Sequence, residues 1–97
     1  MQEILDLIQQ MRITRGWDKT DTIASLIKSV AVESGELLET IQWDDGTFKQ
    51  KQLEGELADV LMYALSICID LNLDVKKLIE EKMPDVYSRY PEIGEDG

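Results

Sequence analysis

Apolar positions recur at helical spacing along nearly the whole chain, and four helices follow from them. The first runs from about Gln2 to Ile13, with Ile4, Leu5, Ile8 and Met11 on one side. Thr14-Arg15-Gly16 closes it, and Trp17-Asp18-Lys19 reads as a short link. Thr20 or Asp21 is suited to cap the second helix, because either side-chain oxygen can accept a free first-turn N–H. Ile23, Leu26, Ile27, Val30, Leu37, Leu38 and Ile41 then fall within a stripe about 120° wide at about 100° per residue. Asp44-Asp45-Gly46 is the turn that ends this helix.

The third helix is predicted from between Thr47 and Gln50 to about Leu71. Leu53, Leu57, Val60 and Ala64 mark one face of its first half. From Val60 to Ile69 it is apolar nearly all round, which demands cover on every side. Three other short helices supply that cover poorly, so a homo-oligomer, dimer or tetramer, is expected. Asn72-Leu73-Asp74 is a turn, with Asp74 capping a fourth helix through Val75, Leu78, Ile79 and Lys82. Pro84 lacks an N–H, so a kink or restart is expected there. The whole reads as one all-α domain over residues 1–97, a four-helix bundle with an acidic tail from about Glu92.

Composition narrows the function classes. The 97 residues carry a net charge of −10 and no histidine, a surface that repels nucleic acid and anionic membranes. A nucleotide would be repelled too, unless a bound cation inverts the local field. Cys68 is the single cysteine, set in the run Ser66-Ile67-Cys68-Ile69, and reads as a buried inert thiol. No basic region followed by an apolar stretch opens the sequence, and no apolar run reaches about 18 residues, so a cytoplasmic protein is expected.

Within this acidic background, two pairs of carboxylates stand out. Glu33 and Glu36 are three apart on the second helix, as are Glu56 and Asp59 on the third, so each pair shares one patch of helix surface. Like charges at that spacing destabilise a helix. Glu33 lies roughly 80° and Glu36 roughly 140° from the centre of their apolar stripe; the offsets for Glu56 and Asp59 are about 60° and 120°. Both pairs therefore border the buried faces, and antiparallel packing would bring the two acidic edges together. Tyr63 falls on the same side as Glu56. Converging carboxylates repel unless a cation binds, and an all-oxygen donor set suits Mg²⁺ or Mn²⁺. Gly35 and Gly55 lie mid-helix beside these pairs, at a cost of about 1 kcal/mol each against alanine, and suggest close helix approach. A solvated acidic face remains the alternative on spacing alone.

Glu33-Ser34-Gly35-Glu36, nineteen residues, then Glu56-Leu57-Ala58-Asp59 resembles the E-x-x-E…E-x-x-D signature of the MazG-type nucleoside triphosphate pyrophosphohydrolases. Lys82-Met83 and Arg89-Tyr90-Pro91 resemble the same superfamily's C-terminal K-M…R-Y-P element, and the likeness runs from Trp17 to Pro91. It is strongest to the dCTP pyrophosphatase-like branch. The resemblance implies that Glu33, Glu36, Glu56 and Asp59 hold Mg²⁺, and that Trp17, Trp43 and Tyr63 line a base pocket. Lys82 would reach a phosphate, and Arg89 or Lys51 could substitute for the substrate-holding residue that members often carry four positions after that lysine. The implied reaction splits the α–β phosphoanhydride to give a monophosphate and pyrophosphate, as in cleansing of nucleotide pools. Glu36, or less directly Glu39, would orient or deprotonate the attacking water. Val32 stands where the family often has an additional acid. Val86 stands four residues after the lysine, where members often carry Asn or Arg, with Pro84 between. Two other functions fit the same pattern: a non-catalytic acidic helical oligomer, and hydrolysis of a phosphoribosyl-ATP-type nucleotide.

Overall fold

A computed structural model describes residues 1–43 and 46–94. Its elements are α1 (Gln2–Thr14), α2 (Trp17–Thr20), α3 (Ile23–Glu39), α4 (Gln50–Asp70) and α5 (Val75–Arg89), with no strand among the described residues. The four expected helices are present, and the expected link at Trp17 is a fifth, single-turn helix.

Local chemistry accounts for the boundaries. Gly16 turns the chain between α1 and α2 at φ +75°, a conformation that strains any residue with a β-carbon. The start of α3 differs from expectation by one or two residues. Thr22 is the cap: the Ser25 N–H donates to Thr22 Oγ1 at 3.0 Å, and the Thr22 N–H donates to Ser25 Oγ at 2.9 Å, a reciprocal capping box. Asp21 is instead drawn to Arg12 on α1, 3.5 Å away.

The end of α3 also comes earlier than expected, at Glu39. Thr40 Oγ1 donates to the Leu37 carbonyl at 2.8 Å, and residues 40–43 are turn. Of the expected Asp44-Asp45-Gly46 turn, the two aspartates lie outside the described residues. After α4, Asn72 adopts φ +54°, and the Leu73 N–H donates to the Cys68 carbonyl at 2.8 Å, closing the helix with a Schellman motif. Asp74 then caps α5 by accepting from the Lys77 N–H at 3.0 Å, as its sequence position predicts. Pro84 neither ends nor restarts α5, which is one helix from Val75 to Arg89; a single missing N–H is outweighed by the bonds on either side.

α3 packs along α4, α1 lies on α4, and α2 folds back on α1. α5 has no comparable packing against any of them. Few side chains are fully enclosed: Ile8, Leu26 and Cys68 among the apolar ones, with Ser66 and Arg12. Arg12 is 1% exposed and is the largest buried side chain together with Leu26. Its guanidinium donates to both carboxylate oxygens of Asp70 at 2.9 and 2.8 Å and to Gln9 at 3.0 Å. This fork joins α1 to the C-terminal end of α4.

Much of the apolar stripe is uncovered. Ile27 and Leu38, expected on the buried face of α3, are 55% and 57% exposed, and Leu61 on α4 is 51% exposed. Gly35 and Gly55 do not mark a close approach, because a β-carbon on either would meet nothing within 4 Å. An apolar groove of about 720 Å³ runs between α1, α4 and α5, with Ile4, Leu7, Leu61, Leu65, Leu78 and Ile79 among its walls. The radius of gyration is 16.8 Å, against about 13 Å for a compact chain of this length.

Candidate metal centre

Because α3 and α4 run alongside one another, the acidic edges predicted from their sequences meet. One carboxylate oxygen from each of Glu33, Glu56 and Asp59 lies within 4.8 Å of the others, and all three residues are half-buried. Glu33 Oε2 and Glu56 Oε2 are shielded from solvent without a hydrogen-bond partner. Buried anionic oxygens left unpaired are costly, and a divalent cation would satisfy them together. The donors are all hard oxygens, which fits such an ion.

Glu36 is exposed and stands beside the trio. The hydrogen-bonding reach of Glu36, then burial and the charges of Glu36, Asp59 and Glu56, raises Glu33 from 4.5 to about 7. Burial first, then the charge and hydrogen-bonding reach of Glu36, raises Glu56 as well; Glu39 adds to that field from farther along α3. Tyr63 is pushed up by burial and by the charges of Glu33, Asp21, Asp59 and Glu36, so its hydroxyl keeps its proton.

A cleft of about 300 Å³ opens next to these carboxylates. Trp17, Tyr63, Met11 and Met62 give it apolar and aromatic walls, and Glu33 and Asp59 line it from the acidic side. An aromatic-walled recess beside converging carboxylates can hold a flat ring while its charged substituents meet a cation.

The other residues singled out from sequence lie elsewhere. Trp43 is 89% exposed after α3 and is not part of the cleft wall. Lys82 and Arg89 both sit on α5 and pair with Asp85 at 2.8 and 3.0 Å. Val86 is half-buried on the same helix, one turn below Arg89. Lys51 is exposed and pairs with Glu54 at 3.6 Å. Three cleft residues escaped the sequence reading as site residues. Met11 and Met62 look like ordinary core, and Arg15 looks like a helix terminus.

Two curated relatives are called dCTP pyrophosphatase 1: the mouse protein, 27% identical over 100 residues, and the rat protein, 26% identical over 100 residues. Each alignment covers 94% of this chain and 59% of the relative, so the chain spans about three fifths of the length of these relatives. A crystal structure of a pyrophosphatase from Archaeoglobus fulgidus superposes with a TM-score of 0.81 at 32% identity, covering 95% of this chain and 93% of that one. Residues 21–93, which include all four carboxylates, match the MazG nucleotide pyrophosphohydrolase domain. The chain belongs to the MazG nucleotide pyrophosphohydrolase family.

Proposed function

We propose that this protein hydrolyses a (deoxy)nucleoside triphosphate to the monophosphate and pyrophosphate, with Mg²⁺ held by Glu33, Glu56, Asp59 and Glu36. Three carboxylates with oxygens within 4.8 Å of one another, beside an aromatic cleft, carry the proposal in a chain of this family. When bound, the ion supplies positive charge for the phosphate oxygens and makes water more acidic.

The chain's own residues do the rest. Trp17 and Tyr63 take the base between them and exclude water from one side of the cleft. Glu36, exposed at the edge of the trio, accepts the proton of the water that attacks the α-phosphorus. Burial and neighbouring charge keep Glu33 and Glu56 more basic than ordinary carboxylates, which favours cation binding over two free negative charges.

Self-association belongs to the same proposal. The apolar groove between α1, α4 and α5 is covered by a second copy, as in a dimer or tetramer. Lys82 and Arg89 ride on the helix that stands clear of α3, so their part in holding phosphate runs through that second copy, as does any part of Trp43 in holding the base.

The test is Mg²⁺-dependent pyrophosphate release from a panel of canonical and damaged triphosphates. dCTP heads the panel because the rodent relatives are named for it. Turnover of one or a few members, lost with chelator, is the expected result. No pyrophosphate from any member, together with no change in melting temperature on adding Mg²⁺, refutes the proposal.

A further inference from the structure

The carboxylate cleft has a charge problem that its metal ligands do not solve. Glu33, Glu36, Glu56 and Asp59 bring four negative charges, and a triphosphate brings about four more, on a chain whose net charge is already −10. One or two divalent ions leave a large negative excess. A cation from the protein is needed; of the three suggested by sequence, Lys82 and Arg89 pair with Asp85 on α5 and would reach this cleft only from a second copy, and Lys51 pairs with Glu54.

Among the described residues, Arg15 is the only cationic one in the cleft wall. It is exposed, and no carboxylate among the described residues lies within 4 Å of its guanidinium. Nη1 makes only a hydrogen bond to Thr14 Oγ1 at 3.1 Å and a long one to the Met11 carbonyl at 3.5 Å, so most of its donors are unused. Its placement is firm. One turn earlier, Arg12 clamps α1 to α4 through Asp70, and immediately after it Gly16 takes the left-handed turn that swings Trp17 into the same cleft.

Resting on the triphosphate reading above, we infer that Arg15 is a substrate-binding residue that contacts the phosphate chain, while Trp17 two residues on contacts the base. The guanidinium's planar fork matches two phosphate oxygens at once, which an ammonium cannot do. The elbow between α1 and α2 thus reads both ends of one nucleotide.

The competing role is structural, as a cap for the last carbonyls of α1. Arg15→Gln keeps a donor for those carbonyls and removes the charge; Arg15→Lys keeps the charge and loses the fork. For the wild type and both variants, three quantities separate the roles: affinity for inorganic tripolyphosphate with Mg²⁺ by calorimetry, affinity for deoxycytidine, and melting temperature with Mg²⁺ alone. Where the wild type turns over a triphosphate, KM and kcat are added.

Arg15→Gln is expected to weaken tripolyphosphate binding, and to raise KM, by about tenfold or more, with Arg15→Lys between it and the wild type. Deoxycytidine affinity, kcat and melting temperature stay near wild-type values. Unchanged tripolyphosphate affinity in Arg15→Gln, or an equal loss for deoxycytidine, overturns the assignment. So does a wild type that binds no tripolyphosphate. A wild type that binds tripolyphosphate in an Arg15-dependent way but releases no pyrophosphate leaves this contact standing and removes the hydrolytic reading instead.

Discussion

Replacing Asp70 by Asn tests the least expected element of the core. Arg12 is 1% exposed, and its two shortest bonds, 2.9 and 2.8 Å, both go to Asp70. The Asp70 hydrogen bonds also raise the Arg12 pKa, so the guanidinium does not escape by losing its proton. Asn keeps one acceptor but turns an NH₂ group toward the cation. Removing one partner of a fully buried ion pair costs about 3–5 kcal/mol. Here the Asp70 side chain keeps 26% exposure, and Asp21 and Gln9 remain within reach of Arg12. A loss of about 2–3 kcal/mol is therefore expected. For a domain of this size that lowers the melting temperature by about 10–20 °C. The assay is a circular-dichroism melt at fixed protein concentration, because the proposed self-association would make the midpoint concentration-dependent. The double variant Arg12→Met with Asp70→Leu, which removes both charges, should recover to within about 1 kcal/mol of wild type. A loss below about 0.5 kcal/mol in Asp70→Asn, the scale of an ordinary surface change, would refute the reasoning. So would a double variant no more stable than the single one.

The carboxylates give further predictions. Glu56→Gln removes one of the three converging oxygens' charges, so it abolishes turnover and the Mg²⁺-dependent rise in melting temperature while the helical circular-dichroism signal persists; full activity in this variant contradicts the metal assignment. Glu33, raised to about 7, holds its proton more tightly in the folded than in the unfolded chain. The stability that this contributes is fully present below about 4.5 and is lost as pH rises through about 7. Melts without divalent ions should thus show falling stability across that window, Glu33→Gln should flatten the fall, and a rise in stability attributable to Glu33 over the same range would contradict the sign. Gly55→Ala should stabilise the protein by about 0.5–1 kcal/mol in a denaturant titration, since α4 is helical there and nothing lies within 4 Å of the new methyl group; destabilisation would mean that a second copy packs against that position.

The features legible in the sequence are those set by spacing along one helix. Glu33 with Glu36 and Glu56 with Asp59 share a helix face by arithmetic, and their position at the stripe margin leads to the expectation that the two pairs meet; three of the four carboxylates converge, and Glu36 stands beside them. The Asn72–Asp74 turn was legible for a similar reason, since Asp74 carries its own cap acceptor. Features set by tertiary partners were not. Nothing in the local sequence marks Arg12 as buried, because its partner Asp70 lies 58 residues away. Asp21 reads as a helix cap until Arg12 attracts it and Thr22 takes over. The two mid-helix glycines suggested a close contact that is absent, because α3 and α4 approach each other on other faces. Arg15 had no distinguishing signal at all; only the packing of α1 on α4, clamped by Arg12 and Asp70, brings it to the cleft.

Met11 and Met62 line both the apolar groove and the carboxylate cleft. A thioether is supple enough to fit either neighbour, and it is also open to oxidation to the sulfoxide. One added oxygen on either sulfur places a polar group in a wall common to both surfaces. If the groove seats a second copy and the cleft a nucleotide, as proposed, peroxide damage at these two positions would loosen both contacts in a single step, and a methionine sulfoxide reductase would restore both together.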